Sequence, residues 1–254
     1  MSIKILNGSY PLAVYDHEIS DDLQNRVYNF LLDSEYYINF YDQPHSNWNP
    51  RTKTLTTPRN YPAGYRLPLA WDAASLEHRA PVVYELWQEI DRVLEHKFVI
   101  EGIQEGMTCM VGVSPLSCIT KADGSPGRAN AAWRVYGGGL GQELKARTKA
   151  IHRDCVDLDA EGFYTLVYFA NQEWHPQYYG ETLFHDNDAT TGDFTGKFED
   201  DQPRNFPIGD VENVVAPRPG RFMNFDSRYF HQTKPGAVYA PEQILAIIFR
   251  LKKI

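Results

Sequence analysis

Residues 162–171, GFYTLVYFAN, form the strongest β pattern in the chain, and the fold class follows from the segments around them. The run is rich in aromatic and β-branched residues and is bounded by turn-forming residues, which is typical of a strand. Further runs of this kind lie between residues 107 and 251: MTCMVGV, AAWRVYGG, ETLFHD, GRFMNFD and QILAIIFRLK. Many short strands separated by turns predict a mainly β protein, an antiparallel sandwich or barrel, with flanking helices packed outside.

The N-terminal part of the chain predicts a short strand followed by two helices. The strand is YPLAVYD at residues 10–16, and segment 19–37 then has apolar residues at helical spacing with Ser20 or Asp21 as its N-cap. Segment 80–98 has a broad apolar stripe and a proline in its first turn, as amphipathic helices do.

Two other segments predict loops. Residues 42–72 are rich in Pro, Asn and Thr, and because they also carry aromatic residues we expect a long ordered loop that could cover a site. Residues 189–210 form a polar insertion between two predicted strands. With no internal repeat, the sequence predicts a single domain over residues 1–254, in which residues 1–106 pack on a β-rich core formed by residues 107–254.

Composition excludes several classes of protein. The 254 residues are 43% hydrophobic, and Lys+Arg 25 against Asp+Glu 33 gives a net charge of −8, which disfavours a nucleic-acid partner. Cys109, Cys118 and Cys155 are too few for a disulfide scaffold. No apolar stretch is long enough to span a membrane, and MSIKILNGSY is not a signal peptide. We therefore expect a soluble protein of a reducing compartment, the cytoplasm.

Two distant segments carry candidate metal ligands. In HRDCVD, residues 152–157, His152 and Asp154 are two apart just ahead of the strongest predicted strand, so their side chains can share one face. About one such His-x-Asp spacing is expected by chance, so the motif alone is weak. GRFMNFDSRYFHQ, residues 220–232, adds His231 after a predicted strand. Two histidines and one carboxylate on one face of an octahedral ion leave three open positions, as in non-haem Fe(II) oxygenases.

The order of these elements resembles the Fe(II)- and 2-oxoglutarate-dependent dioxygenases of the prolyl-4-hydroxylase-like branch. The resemblance covers about residues 130–251 and rests on HRD, YTLVYFANQEW, YGETLFHD, PRPGRFMNFD, FHQTKP and a final strand. It implies a double-stranded β-helix, the jelly roll of cupin-like proteins, which agrees with the predicted strands. It also implies that His152, Asp154 and His231 bind Fe(II), with 2-oxoglutarate and O2 as cosubstrates and succinate and CO2 as products.

The expected anchor for the remote carboxylate of 2-oxoglutarate departs from the family pattern. Members of this branch carry an Arg or Lys on the last strand, a place held here by Gln243 or Ile244. Arg250 lies six residues beyond Ile244 in the sequence and therefore on the same face of that strand, so it is the first candidate. Arg134, in the segment WRVY, is the second.

Other polar residues near these motifs have two interpretations each. Tyr136 and Tyr164 could hydrogen-bond cosubstrate oxygens or be half-buried strand aromatics. His185 is interpreted as a turn residue or a support for the ligands, and Arg221 as a structural arginine at a strand end rather than a substrate clamp. The glycines at 137–141 predict a flexible loop, because no Gly-Lys-Ser follows them.

The leading functional hypothesis is a hydroxylase that acts on an unactivated C–H bond of a small metabolite or amino acid, or of a peptidyl side chain. Halogenases of the superfamily have a small residue in place of the metal carboxylate, so Asp154 implies hydroxylation, with desaturation and ring closure left open. The alternatives are a non-catalytic metal-binding jelly roll that binds or senses a ligand, and a metal-dependent hydrolase or isomerase. Stoichiometric succinate release separates the first hypothesis from the others.

Overall fold

The structure, a computed structural model, describes most of the regular elements of the chain. The described residues are 2–34, 36–39, 44–49, 54–55, 65–70, 72–101, 109–114, 153–155, 159–186, 210–234, 236–237, 240–242 and 244–254, with the backbone alone at 36–39, 44–49, 54–55, 65–68 and 109–114. The predicted strand AAWRVYGG, the glycines at 137–141 and nearly all of the insertion 189–210 lie outside these ranges.

The described elements are mostly strands. They are β1 Ser2–Leu6, β2 Leu12–Asp16, α1 Asp21–Asp33, β3 Tyr36–Asn39, β4 Pro44–Asn49, β5 Thr54–Leu55, β6 Tyr65–Ala70, α2 Ala73–Arg79, α3 Pro81–Val93, β7 Phe98–Ile100, β8 Cys109–Ser114, β9 Phe163–Phe169, a 3-10 helix at Pro176–Tyr178, β10 Thr182–His185, β11 Val211–Val215, β12 Phe222–Asp226, β13 His231–Thr233 and β14 Ile244–Lys253.

These strands form two antiparallel sheets. The larger has the order β1-β2-β12-β9-β14-β8-β6-β3-β4-β5, with β7 also paired to β14, and the smaller has the order β11-β10-β13. Phe184 and Val215 of the smaller sheet pack against Met223, Phe225 and Ile244 of the larger one, so the two sheets enclose an apolar interior. This arrangement confirms the predicted mainly β fold with a jelly-roll core.

The helices cover the outer face of the larger sheet. Strand β14 alternates between its two faces, and one face turns Leu245, Ile247, Phe249 and Leu251 towards α1 and α3. Trp87 of α3 lies with its ring centroid 5.5 Å from that of Phe249. Residues Ile244, Ala246, Ile248 and Arg250 therefore belong to the opposite, inner face of β14.

Local sequence signals place the helices well. Ser20 caps α1 by accepting a hydrogen bond from the backbone N–H of Leu23, as predicted. Helix α3 begins at Pro81 but ends at Val93, earlier than the predicted segment 80–98, because a turn with positive φ at Glu95 and His96 follows. Helix α2, capped by Asp72 and Ser75, was not predicted. None of the described helices has the length and hydrophobicity that a membrane span requires.

The N-terminal strands belong to the same sheet as the core. Strand β2 is hydrogen-bonded to β12, and Arg221 at the start of β12 makes a bidentate ion pair with Asp16 at the end of β2, with both N···O distances 2.7 Å. Gly220 allows β12 to begin here, because its φ of +66° is readily adopted only by glycine. An added Cβ would also lie only 2.5 Å from the Gln24 side chain. Arg221 is therefore a structural residue.

The prediction of a loop over residues 42–72 is wrong for three parts of that segment. Strands β4, β5 and β6 lie within it, and β6 is hydrogen-bonded to β8. The proline at position 68 coincides with a register shift between Pro68 and Ala70, and Pro44 is the first residue of β4, where a missing backbone N–H is tolerated. For β6, pairing with the distant strand β8 has overridden the local composition.

Candidate metal centre

The segment that contains Asp154 is fixed to the end of β12. The backbone N–H groups of Asp154 and Cys155 both donate to the carbonyl oxygen of Ser227, at 2.9 and 2.8 Å. The N–H of Ser227 in turn donates to the carbonyl of Phe163 at the start of β9, at 3.0 Å. Two strand ends and residues 154–155 are thereby held together, and the Asp154 side chain is left only 8% exposed.

His231 reaches the same place from the other sheet. It begins β13 and pairs with Phe184 of β10. Its ring packs edge-on against Phe225, with centroids 4.9 Å apart, and its Nδ1 atom lies 2.9 Å from the carbonyl oxygen of Tyr229. A carbonyl can only accept, so Nδ1 carries the proton of that bond and the lone pair of a neutral ring lies on Nε2.

The two side chains meet with geometry that suits a shared metal ion. Nε2 of His231 lies 3.6 Å from Oδ2 of Asp154, and both side chains are 8% exposed. Metal–nitrogen and metal–oxygen bonds are about 2.0–2.2 Å long, so both atoms can bind one ion. A histidine that donates its second ring N–H to a backbone carbonyl is the usual arrangement of a metal ligand. Nitrogen and carboxylate donors together fit a first-row transition metal.

Thr165 and Arg250 complete the polar cluster around the carboxylate. The Thr165 hydroxyl donates to Oδ2 of Asp154 at 2.8 Å and lies 3.0 Å from the Ser227 hydroxyl. Nη2 of Arg250 donates to Oδ1 of Asp154 at 2.7 Å, while its Nη1 contacts both Oδ2 and the Thr165 hydroxyl. Cross-strand pairing of Arg250 with Thr165 places the two side chains on the inner faces of β14 and β9.

Three of the predicted site residues cannot be placed relative to this cluster. His152, Arg134 and Tyr136 lie outside the described residues. Within the described ranges, no three His, Cys, Asp or Glu side chains are grouped so that they could hold a metal ion. The structure thus brings together Asp154, His231 and Arg250, and it describes two of the three predicted ligands.

Tyr164 is not brought to the carboxylate. Successive residues of a strand point to opposite faces, so Tyr164 faces the helices when Thr165 faces Asp154. Its ring packs edge-on against Phe98 with centroids 5.0 Å apart. Burial, followed by the nearby Asp226 carboxylate, raises the pKa of the Tyr164 phenol. These contacts match the interpretation of a half-buried strand aromatic.

His185 lies at the end of β10, next to the strand that delivers His231. It is buried, and its backbone N–H donates to the carbonyl of Phe230 at 2.9 Å. Arg153 of the HRD segment places its guanidinium 5.2 Å from the centroid of the Phe230 ring. The first contact holds the start of β13 to the end of β10, and the second holds it beside Arg153.

Thr165 and Ser227 were not identified from the sequence. Thr165 lies inside the strongest predicted strand. Side chains alternate between the two faces of a strand, but this alternation does not indicate which face contains the site. Ser227 acts mainly through its backbone carbonyl, which has no signature in the sequence. The only available signal was the position of Ser227 directly after the GRFMNFD run.

Comparisons with known proteins give the following result. No family model and no curated protein matches the chain. Among solved structures, it is similar to a prolyl hydroxylase from Trichoplax adhaerens in complex with a hypoxia inducible factor oxygen degradation domain peptide fragment, at 15% identity and a TM-score of 0.47, covering 95% of this chain and 83% of that one. It is also similar to a Pseudomonas putida prolyl-4-hydroxylase, at 14% identity and a TM-score of 0.41, covering 97% and 94%. Similarity at this level leaves the function to be argued from the site.

Proposed function

We propose that this protein is a non-haem Fe(II)- and 2-oxoglutarate-dependent oxygenase that hydroxylates a C–H bond. The observation that carries the proposal is the approach of His231 Nε2 to within 3.6 Å of Asp154 Oδ2 between the two sheets of a jelly roll. The bond from His231 Nδ1 to the Tyr229 carbonyl supports it, since that bond turns the basic nitrogen towards the carboxylate.

In this proposal His152, Asp154 and His231 hold the iron. With 2-oxoglutarate and O2, the bound iron supplies the oxidising power to insert one oxygen atom into a C–H bond, with succinate and CO2 as products. The protein orients the ligands and excludes water. The Phe225 ring and the Phe184 ring, with centroids 4.9 and 6.0 Å from that of His231, form the apolar wall for this purpose.

We assign Arg250 to the remote carboxylate of 2-oxoglutarate, with Arg134 as the second candidate. Arg250 supports this role because it lies on the inner face of β14 and its guanidinium, which also contacts Asp154, lies within the site. Tyr136 remains a proposed contact of the cosubstrate. Tyr164, the other predicted contact of the cosubstrate, lies on the face of β9 opposite to Thr165.

The proposal also assigns the parts of the chain. Residues 107–254 form the catalytic core, and residues 1–106 pack on it. Pairing of β2 with β12 and packing of Trp87 on Phe249 support this division into a core and an attached N-terminal part of one domain. The proposed substrate is a small metabolite or amino acid, or a peptidyl side chain.

The test uses the whole chain loaded anaerobically with Fe(II). Addition of 2-oxoglutarate should produce a visible charge-transfer absorption band, and admission of O2 should release succinate that depends on both iron and 2-oxoglutarate. His231→Ala and Asp154→Ala should abolish both signals. His96→Ala is a matched control, because the His96 side chain is 72% exposed and pairs with Asp91 after α3. Absence of succinate from iron-loaded wild-type protein, with and without candidate substrates, would contradict the proposal.

A second candidate is a metal-binding jelly roll without oxygenase activity. The observation that favours it is that Arg250 is already paired to Asp154, while the inner face of β14 beyond it carries Ile248, Ala246 and Ile244. Such a protein would bind the metal with the same ligands but would show no charge-transfer band with 2-oxoglutarate. The anaerobic titration therefore separates the two functions before any substrate is known.

A further inference from the structure

The carboxylate oxygen that faces His231 is already fully hydrogen-bonded. Oδ2 of Asp154 accepts from the Thr165 hydroxyl at 2.8 Å and is contacted by Nη1 of Arg250. The same oxygen lies 3.6 Å from Nε2 of His231. An ionised carboxylate has about two lone-pair sites on each oxygen. A metal ion shared by Asp154 and His231 through this oxygen must therefore take the place of a donor, and among the described residues the groups in contact with Oδ2 are Thr165 and Arg250.

Thr165 is the donor that is held in place. Its hydroxyl donates to Asp154, accepts from Arg250 and lies 3.0 Å from the Ser227 hydroxyl, and its side chain is β-branched on a central strand. Arg250 has a long side chain that is 26% exposed, and its positive charge is repelled by a divalent ion. Arg250 is therefore the group that gives way.

We propose that Arg250 is the resident counter-ion of Asp154 in the metal-free protein and competes with the metal for Oδ2. When the metal binds, Nη1 leaves Oδ2 while Nη2 keeps its bond to Oδ1, now 2.7 Å long. The released Nη1 is then available to a carboxylate of the cosubstrate. This inference rests on the metal centre of the proposed function, but it requires neither 2-oxoglutarate nor turnover.

The burial of Asp154 explains why a counter-ion is needed. A carboxylate that is 8% exposed and has no cation beside it is strongly unfavourable. Arg250 supplies that cation when no metal is bound. When a metal ion binds, two positive charges lie beside one carboxylate and repel each other. Such negative coupling is reciprocal: the metal weakens the contact of Arg250 with Asp154, and Arg250 weakens the binding of the metal.

The experiment measures Mn(II) binding by titration calorimetry without cosubstrate, together with the unfolding of the metal-free protein. Arg250→Gln should bind Mn(II) about tenfold more tightly than wild type or better, because no cation has to be displaced, and should unfold more easily without metal. Arg250→Lys keeps the charge but cannot contact both oxygens, so its affinity for Mn(II) should be intermediate.

Arg221→Gln is the matched control. The guanidinium of Arg221 pairs with Asp16 at the opposite end of β12, so the variant should unfold more easily but bind Mn(II) with unchanged affinity.

The outcomes separate this inference from the proposed function. If wild type binds Mn(II), and Arg250→Gln and Arg250→Lys bind it equally or more weakly, Arg250 is not a competing counter-ion and the inference is overturned while the metal centre stands. If Arg250→Gln fails to fold without metal, the Arg250→Lys comparison alone decides. If neither wild type nor any Arg250 variant binds Mn(II), or if His231→Ala binds it normally, the metal centre is wrong and the inference fails with it.

Discussion

Asp154 and His231 come from different sheets and meet with Oδ2 and Nε2 only 3.6 Å apart. Asp154 is tied to the ends of β12 and β9 in the larger sheet, whereas His231 begins β13 of the smaller sheet. An ion bound by both residues would therefore link the two sheets on one side of the jelly roll.

Metal binding should stabilise the wild-type protein, and His231→Ala should remove the effect. Because the ligands are not joined in the unfolded chain, an ion that binds only the folded state raises the unfolding temperature. We expect Mn(II) to raise the unfolding temperature of wild type and of His96→Ala alike. His231→Ala should lose roughly a hundredfold or more in metal affinity and keep the β-rich circular dichroism spectrum. A metal-dependent shift of wild-type size in His231→Ala would show that the ion binds elsewhere.

Thr165→Val should weaken both the fold and the site without changing the shape of the side chain. The substitution removes the hydroxyl that donates to Asp154 at 2.8 Å and contacts Ser227. The expected loss in the free energy of unfolding is about 1–3 kcal/mol, measured by denaturant titration. Ser227→Ala removes a hydroxyl but keeps the carbonyl that holds the Asp154 segment, so it should cost less. An equal or greater loss in Ser227→Ala would contradict this assignment.

Asp16→Asn should destabilise the protein by about 3 kcal/mol at neutral pH, because it leaves the buried guanidinium of Arg221 without its charged partner. The hydrogen bond from Arg221 lowers the pKa of the Asp16 carboxyl from its usual 3.8. A carboxyl group whose pKa is lower in the folded chain than in the unfolded chain stabilises the fold. This contribution is fully present when the pH is above the pKa of the group in the unfolded chain.

The stability difference between wild type and Asp16→Asn should consequently be constant near neutral pH and should shrink as the pH falls below about 4. It should vanish below the lowered pKa of the folded state. Denaturant titrations of both proteins across this range test the sign. A difference that grows towards acidic pH would show that the ion pair does not contribute in this way.

Arg250→Leu should raise the 2-oxoglutarate requirement of turnover by roughly a hundredfold or more, because a charge-assisted pair is lost. Arg134→Leu is the direct comparison, since Arg134 is the alternative anchor. The measurement is succinate formation as a function of 2-oxoglutarate concentration at saturating iron. Wild-type dependence in Arg250→Leu combined with a large shift in Arg134→Leu would assign the anchor to Arg134.

The sequence by itself predicted those elements whose signals are local. Ser20 and the apolar spacing that follows it specify α1, and the runs of β-forming residues specify β9, β12 and β14, because capping and periodicity act over a few neighbouring residues. The runs predicted an antiparallel sandwich or barrel, and the resemblance of their order to a known family implied a jelly roll. Strand β6 was missed because it is hydrogen-bonded to β8, about forty residues further along the chain. Strand β4 pairs with its neighbours β3 and β5, and it was missed because its Pro and Asn residues are typical of loops.

Only the tertiary structure decided which side chains surround Asp154. If the two faces of β9 were exchanged, Tyr164 instead of Thr165 would point towards Asp154. Which residue does so depends on which face of β9 the helices cover. The contact of Arg250 with Asp154 depends in turn on the register that pairs Arg250 with Thr165. Register and facing are fixed by packing across the whole sheet, so no short stretch of sequence contains them. The candidate metal ligands could therefore be identified from the sequence. The side chains that contact them were determined by pairing between strands that are distant in the sequence.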